Sequence, residues 1–145
     1  MHWFFKTGLL SIVLFVIFTG SSAVNAQDQN DIVVIVNKTS NINSVSINDV
    51  KRVFLKEQSV LSGKKVLPIN AKQSSALRNN FRVKVLKMSS FQEAGYWETQ
   101  KIKAGIRPPA ELSNTVKAVF SIKNGISYCY RKDFNPAVSK IVLTL

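Results

Sequence analysis

The stretch from Leu67 to Phe81 constrains the fold most, because it combines a strand, a polar loop and a helix in a short length of chain. The apolar residues from Val66 to Ile69 predict a buried strand. Apolar residues then recur every four positions from Leu77 to Val85, which is typical of one face of a helix. This helix is predicted to begin at Ser74 or Ser75.

The start of this helix allows two interpretations. A helix that begins in a polar loop directs unpaired backbone N–H groups outward, and its dipole adds partial positive charge, so the loop can hold an anion. Lys72, Ser74, Ser75 and Arg78 are the side chains that could complete such a site. In the other interpretation a serine only caps its own helix. The residues of this stretch leave both interpretations open.

The first 26 residues have the pattern of a signal peptide. Lys6 supplies a charged start, the apolar run from Gly8 to Phe18 has the length of a signal-peptide core, and Val24 to Ala26 fits the small-x-small cleavage rule. Cleavage after Ala26 would leave a single domain, residues 27–145, exported to the periplasm. The alternative is an uncleaved anchor, although the run is shorter than the roughly 20 residues of a membrane span.

The predicted mature chain is strongly basic. Cleavage removes one of the 20 Lys and Arg residues and none of the eight Asp and Glu residues, so the net charge falls from +12 to +11. Such a charge predicts an acidic partner: a phosphate-bearing ligand, an anionic surface polymer or a membrane. Nucleic acid is not expected as a partner of an exported protein.

The residue types argue against an enzyme. His2 is the only histidine and lies in the signal peptide, so the mature chain cannot form a Ser-His or Cys-His pair or a histidine zinc site. Glu93 and Glu98 are predicted to lie on a solvated helix face. We therefore expect no catalytic residues, no metal and no cofactor. Cys129, the only cysteine, is predicted to be a buried thiol; an intermolecular disulfide is the alternative.

Strands and helices are predicted to alternate along the rest of the chain. The β-branched run from Asp31 to Val36 predicts a strand that is covered on both faces. Three helices are predicted to bury the following side chains: Ile47, Val50 and Phe54 in a helix opened by Ser46 to Asp49; Phe91, Ala94, Trp97 and Ile102 in a helix over 91–103; Val116, Val119 and Phe120 in a helix from Ser113 or Asn114 to Lys123. Further strands are predicted at Ile126 to Tyr130 and over 138–145.

This order predicts an α/β domain with a small, mainly parallel sheet flanked by helices. Ligands of such sheets bind beyond the carboxyl ends of the strands. The loop after Val36 and the serines at 74 and 75 are both expected to lie there.

The order of these segments resembles phosphate ABC transporter substrate-binding proteins. The helix from Ser46 to Leu55, the strand from Leu67 to Asn70 with its serine-bearing helix start, and the stretches 105–109 and 124–128 are similar to that family's segments. The resemblance extends from Asp31 to Tyr130. It implies one lobe of a type 2 periplasmic binding protein, in a short single-lobe form.

In that family a serine-glycine-threonine motif and a nearby arginine hold the phosphate. The resemblance places Ser74 at the motif's serine, Ser75 at its glycine, Ala76 in its threonine region and Arg78 near its arginine. The glycine and the threonine hydroxyl are absent here. The resemblance thus implies phosphate or another oxyanion as ligand, held by Lys72, the serines, Arg78 and the backbone amides of Ser75 and Ala76.

Two functions follow from the sequence. The first is an exported solute-binding domain that binds phosphate or a phosphate-bearing group and is linked to phosphate ABC transport. The second is an envelope protein-interaction module that kept the fold but lost ligand binding. An ABC transporter membrane component, another envelope protein and a second copy of the chain are the expected partners.

Overall fold

The structure, a computed structural model, describes residues 29–145. The predicted signal peptide and its cleavage after Ala26 lie outside the described residues. None of the described helices is long and apolar enough to span a membrane.

A five-stranded sheet forms the centre of the domain, in the order β5-β4-β6-β1-β7. Its strands are β1 (Ile32–Asn37), β4 (Leu67–Ala71), β5 (Ala110–Leu112), β6 (Gly125–Tyr130) and β7 (Ser139–Thr144). A separate hairpin pairs β2 (Val60–Leu61) with β3 (Lys64–Lys65). The three-residue strand β5 was not predicted, because it follows two prolines and is too short to show a period.

Four helices flank the sheet: α1 (Ile47–Phe54), α2 (Ala76–Phe81), α3 (Ser90–Ala104) and α4 (Thr115–Ser121). A π-helical turn, Arg82–Leu86, continues α2 without a break. Each helix is capped as its sequence indicates, with Ser46, Ser75, Ser89 and Asn114 each accepting a backbone N–H of the first turn. Gly105 ends α3 in the left-handed conformation, with φ of 66°.

The strand directions confirm the predicted fold class. β4 is parallel to β5 and β6, while β1 is antiparallel to both β6 and β7, so only β1 in this sheet points the other way. This direction corrects one expectation. Because β1 is reversed, the loop after Val36 lies at the amino ends of β4 and β6, at the opposite edge of the sheet from Ser74 and Ser75.

The two faces of the sheet carry unequal cores. Alternate residues of β1 point to opposite faces, as in any strand. Val34 and Val36 contact the larger cluster, which α1, α2 and α3 cover with residues such as Phe54 and Phe81. Val33 and Ile35 contact a smaller cluster, to which α4 contributes Val119.

Several apolar side chains predicted to be buried are exposed instead. They are Ile47, Phe91, Ala94, Ile102 and Phe120. In α3 only Trp97 and Glu93 are buried, because the helix touches the core along one narrow line. Phe91 and Ile102 therefore keep 87% and 76% of their surface exposed. Periodicity showed on which side of each helix the apolar residues lie. It did not show how much of that side the sheet covers.

Candidate functional site

The carboxyl ends of β4 and β6 lie side by side at one edge of the sheet. The chain leaves β4 toward β5 on one side, whereas it leaves β6 toward β7 on the other side. Loops that depart in opposite directions open a crevice between neighbouring strands, which is where open α/β sheets bind ligands. Leu77, the start of α4 and the segment 131–138 line this crevice. The loop 72–75, which follows β4, lies beside it.

The loop 72–75 is held together by Ser75. Its hydroxyl donates to the carbonyl of Lys72 at 2.7 Å and accepts the N–H of Arg78 at 3.1 Å. The Ser75 N–H also donates to the Lys72 carbonyl, at 2.9 Å. Ser75 is thus a helix cap, and its polar groups are already engaged within the loop.

The other groups of this loop face solvent. Lys72, Ser74 and Ala76 are exposed. Within the described residues, the N–H groups of Ala76 and Leu77 make no hydrogen bond, as expected for the first turn of a helix. The first turn of α2 therefore presents two backbone donors at the crevice, next to the hydroxyl of Ser74.

Arg78 points inward from the same turn and is only 2% exposed. One terminal nitrogen donates to the Asn70 side-chain oxygen, and the other to Glu93. Its Nε donates to the side-chain oxygen of Gln73 at 3.4 Å. The guanidinium thereby connects the end of β4, the loop and α3, and in this arrangement its hydrogens are directed at protein acceptors.

Glu93 binds a second arginine with its other oxygen. The Nε of Arg82 donates to Oε2 of Glu93 at 2.5 Å, and Arg82 also donates to the Asn79 side chain at 3.0 Å. The expectation of a solvated Glu93 was wrong, because this carboxylate is 2% exposed and bridges both guanidinium groups. The sequence gives no local indication of this pairing, because Glu93 lies on a different helix from both arginines.

Tyr128 completes this buried cluster from β6. Burial raises the pKa of its hydroxyl, while the nearby Arg78 acts in the opposite direction. The protonated hydroxyl donates to the Asn70 side chain and accepts the N–H of Ala71, both at 3.2 Å. Its ring stacks on Phe81 with centroids 3.7 Å apart, so the tyrosine belongs to the core and not to an open groove.

We call Asn70, Arg78, Arg82, Glu93 and Tyr128 the arginine cluster. It contains two guanidinium groups and one carboxylate, so its formal charge is positive. A buried charge pair is costly to break, because the remaining partner is left unpaired at low dielectric. The cluster therefore fixes α2, its loop and α3 against the carboxyl edge of the sheet.

A groove of about 550 Å³ runs along α4 from the crevice. Its floor includes Cys129, and Leu77 of α2 borders it. The polar lining residues are Ser113, Asn114, Thr115, Lys117, Asp133 and Asn135. The sequence alone does not indicate these residues, because they come from two segments that only the fold brings together. The predicted ligand residues, from Lys72 to Arg78, lie beside the groove at the first turn of α2 and do not line it.

Cys129 is buried, as predicted. Burial, assisted by the Asp133 carboxylate, raises the pKa of its thiol to about 12. The thiol is therefore neutral at physiological pH. In the described part of the chain, no group of three or more His, Cys, Asp and Glu side chains is arranged to hold a metal ion.

Solved structures share this fold at low sequence identity. One, from Vibrio cholerae, is an ABC-type phosphate transport receptor: 77% of this chain aligns with 45% of that chain, at 9% identity and a TM-score of 0.60. Another, from Clostridium perfringens, is assigned as a phosphate ABC transporter substrate-binding protein and was solved with bound phosphate; the coverages are 77% and 44%, the identity 13% and the TM-score 0.57.

A third, from Planctomyces limnophilus, is assigned as a phosphate-binding protein, with coverages of 77% and 40%, 15% identity and a TM-score of 0.51. No protein-family model matches the chain. No curated protein matches it either. The chain spans less than half the length of these solved structures. It has the fold of one lobe of a periplasmic binding protein.

Proposed function

We propose that this protein is an exported, non-enzymatic solute-binding domain that binds phosphate or a phosphate-bearing group at the carboxyl edge of its sheet. One observation carries the proposal: the chain leaves β4 and β6 in opposite directions, and the groove that opens there reaches the first turn of α2. The three solved structures support the choice of ligand, because each is assigned to phosphate transport or phosphate binding.

The residues divide into those that touch the anion and those that hold them in place. Lys72 and Ser74 are exposed and supply a charge and a hydroxyl, and Ala76 supplies a free backbone N–H. Each charge-assisted hydrogen bond to an oxyanion contributes roughly 1.5–3 kcal/mol. Ser75 and Arg78 act from inside: the serine closes the loop, and the guanidinium adds positive charge beneath it while fixing α2.

A single lobe leaves this site open to water on one side. Water weakens hydrogen bonds and screens charge, so we expect weaker binding than a closed two-lobed site would give. A partner that covers the edge would strengthen it. In the periplasm, this partner could be a membrane component of a phosphate ABC transporter, another envelope protein or a second copy of the chain.

The test is calorimetric titration of the purified protein with phosphate, at low and at moderate salt. Sulfate is the control ligand, because it is a tetrahedral oxyanion of similar size that carries no proton at neutral pH. We expect saturable one-site binding of phosphate that survives moderate salt. The double variant Lys72→Ala/Ser74→Ala should weaken it by about tenfold or more. The matched control Lys103→Ala, an exposed lysine at the end of α3, should stay within about twofold.

The variant Arg78→Lys is a second test of the site, because lysine keeps the charge but cannot bridge Asn70 and Glu93 at once. We expect a looser site and weaker phosphate binding. The proposal fails if the Lys72/Ser74 double variant binds phosphate as tightly as the wild type, or if the wild type gives no heat with phosphate at either salt.

A second candidate function is an envelope protein-interaction module. It is favoured by one specific observation: the hydrogen-bonding groups of Arg78 are engaged by Asn70, Gln73 and Glu93. The absence of phosphate heat, together with a partner retained from envelope extracts, would favour this candidate. A Phe91→Ser/Ile102→Ser variant that lost the same partner would place the contact on α3.

A further inference from the structure

A second cleft, of about 290 Å³, lies at the amino-terminal edge of the sheet. It is bordered by the loop after β1, the hairpin strand β3 and the turn that leads into β6. Six of its lining residues are polar or charged: Ser40, Asn41, Lys64, Lys65, Lys123 and Asn124. We call it the lysine cleft. Because β6 rises about 17 Å between Gly125 and Tyr130, the lysine cleft is well separated from the carboxyl edge.

The charges of the lysine cleft are unbalanced. Lys64, Lys65 and Lys123 line it, and no acidic residue does. In the described part of the chain, the salt bridges are those that Glu93 makes with the two arginines, so none of these lysines has a carboxylate partner. Clustered ammonium groups repel one another, and a cleft lined by one sign of charge attracts counter-ions.

The walls of the lysine cleft are fixed by contacts of its own. Lys140 donates to the carbonyl of Ser40 at 2.5 Å and to the side-chain oxygen of Asn43 at 2.7 Å, which fastens one wall to β7. On the other wall, the N–H of Leu67 donates to the carbonyl of Asn124 at 2.8 Å. The cleft is therefore preformed, so a ligand need not order these loops on binding.

The backbone of the hairpin and of the turn before β6 is also restricted in conformation. Ser62 and Gly63 both have positive φ, 48° and 73°, as in the two-residue turn that matches the twist of a hairpin. The strand that carries Lys64 and Lys65 follows this turn directly. Gly125 has no room for a side chain: an added Cβ would lie 2.9 Å from the carbonyl oxygen of Ile122 and 3.1 Å from Cδ1 of Ile69.

We propose that the lysine cleft is a second anion site, which takes a phosphate group carrying a small polar substituent. The three lysines carry an excess of positive charge that attracts a phosphoester, and Ser40, Asn41 and Asn124 offer hydrogen-bonding groups for its substituent. Such a group occurs in a soluble phosphoester and in the headgroup of an anionic phospholipid. With a lipid headgroup in the cleft, the carboxyl edge would point away from the membrane and stay accessible.

The experiment has two arms. One measures cosedimentation of the purified protein with phosphatidylglycerol-containing vesicles and with pure phosphatidylcholine vesicles. The other measures calorimetric binding of soluble glycerol phosphate. The cleft variant is Lys64→Gln/Lys65→Gln/Lys123→Gln. The control variant, Lys84→Gln/Lys101→Gln/Lys103→Gln, removes the same charge from exposed positions elsewhere.

We expect the cleft variant to lose binding by about 100-fold on anionic vesicles, since each basic residue near an anionic surface contributes about fivefold. We expect a loss of roughly tenfold for glycerol phosphate if that is the source. The control variant should lose much less in either arm. A loss in the vesicle arm alone assigns the lipid headgroup, and a loss in the soluble arm assigns a soluble phosphoester.

Two results would overturn the proposal: an equal loss in the cleft and control variants, which would mean that net charge alone drives binding, or no binding in either arm. Circular dichroism would verify that both variants fold. The outcome is separable from the carboxyl-edge proposal, because the Lys72→Ala/Ser74→Ala variant keeps all lysines of the cleft. That variant should lose phosphate binding but retain the binding measured here.

Discussion

The arginine cluster and the lysine cleft lie at opposite edges of one sheet, and they use positive charge in opposite ways. Arg78 and Arg82 are each 2% exposed and share the carboxylate of Glu93. Lys64, Lys65 and Lys123 are exposed and line a cleft without an acidic residue. The arginines therefore stabilise the fold, whereas the lysines are available to a ligand. Arg78 was predicted as a ligand residue from its position near the helix start, and its contribution to anion binding stays a prediction.

Glu93 is the residue of the arginine cluster whose substitution is expected to have the largest effect on stability. Glu93→Gln leaves two buried guanidinium groups without a counter-ion, so we expect the free energy of unfolding to fall by about 3–5 kcal/mol. The control is Glu98→Gln, five residues along the same helix but exposed, which should change it by less than about 0.5 kcal/mol. Chemical denaturation measures both variants. Equal effects would mean that Glu93 is as solvated as the sequence first indicated.

Tyr128 is the next test of the arginine cluster. Tyr128→Phe keeps the stack on Phe81 but removes the hydroxyl that bonds Asn70 and Ala71, which should cost about 1–2 kcal/mol of unfolding free energy. Tyr130→Phe is the matched control, because that hydroxyl accepts only from the exposed Asn80, at 3.1 Å. A larger loss in the Tyr130 variant would contradict the network.

Cys129 gives a pH-dependent prediction for the core next to the groove. Its raised pKa means that the folded state keeps the thiol neutral while the unfolded state ionises near pH 8.5. The stability contribution is thus complete below the unfolded pKa and declines as pH rises toward 12, by at most about 1.4 kcal/mol per pH unit. Cys129→Ala should lack this decline in unfolding measurements between pH 8 and 10. An identical pH profile in both proteins would contradict the raised pKa.

The smallest expected effect concerns the lysine cleft itself. Removing its three charges in Lys64→Gln/Lys65→Gln/Lys123→Gln relieves repulsion and breaks no ion pair, so the unfolding free energy should stay constant or rise by about 0.5 kcal/mol. A thermal melt at low salt measures the difference. A clear destabilisation would mean that these lysines have partners and are structural, like the arginines.

Local sequence patterns predicted most of the helices and strands. They could not predict which strands pair when those strands are distant in sequence. The cap at Ser46, the glycine end of α3 and the strand before Tyr130 all follow from neighbouring residues. The direction of β1 depends on its pairing with strands about a hundred residues later, which no local pattern encodes.

The contacts that form the two sites also join residues that are far apart in sequence, so local patterns could not predict them. Arg78 and Glu93 come from different helices, so their ion pair was invisible to helix periodicity. The lysine cleft joins three segments that are far apart along the chain. The loop 72–75, in contrast, was found from the sequence because its strand, loop and helix are consecutive. It stays a prediction that an anion is held by Lys72, Ser74, Ser75, Ala76 and Arg78.

One measurement tests the central claim most directly: backbone amide chemical shifts of the purified protein during titration with phosphate at moderate salt. We expect saturable shifts at Ser74, Ala76 and Leu77, whose amides lie at the carboxyl edge, at phosphate concentrations that leave the exposed lysines of α3 unaffected. Shifts confined to the lysine cleft, or spread evenly over all exposed lysines, would contradict the assignment of the carboxyl edge as the phosphate site.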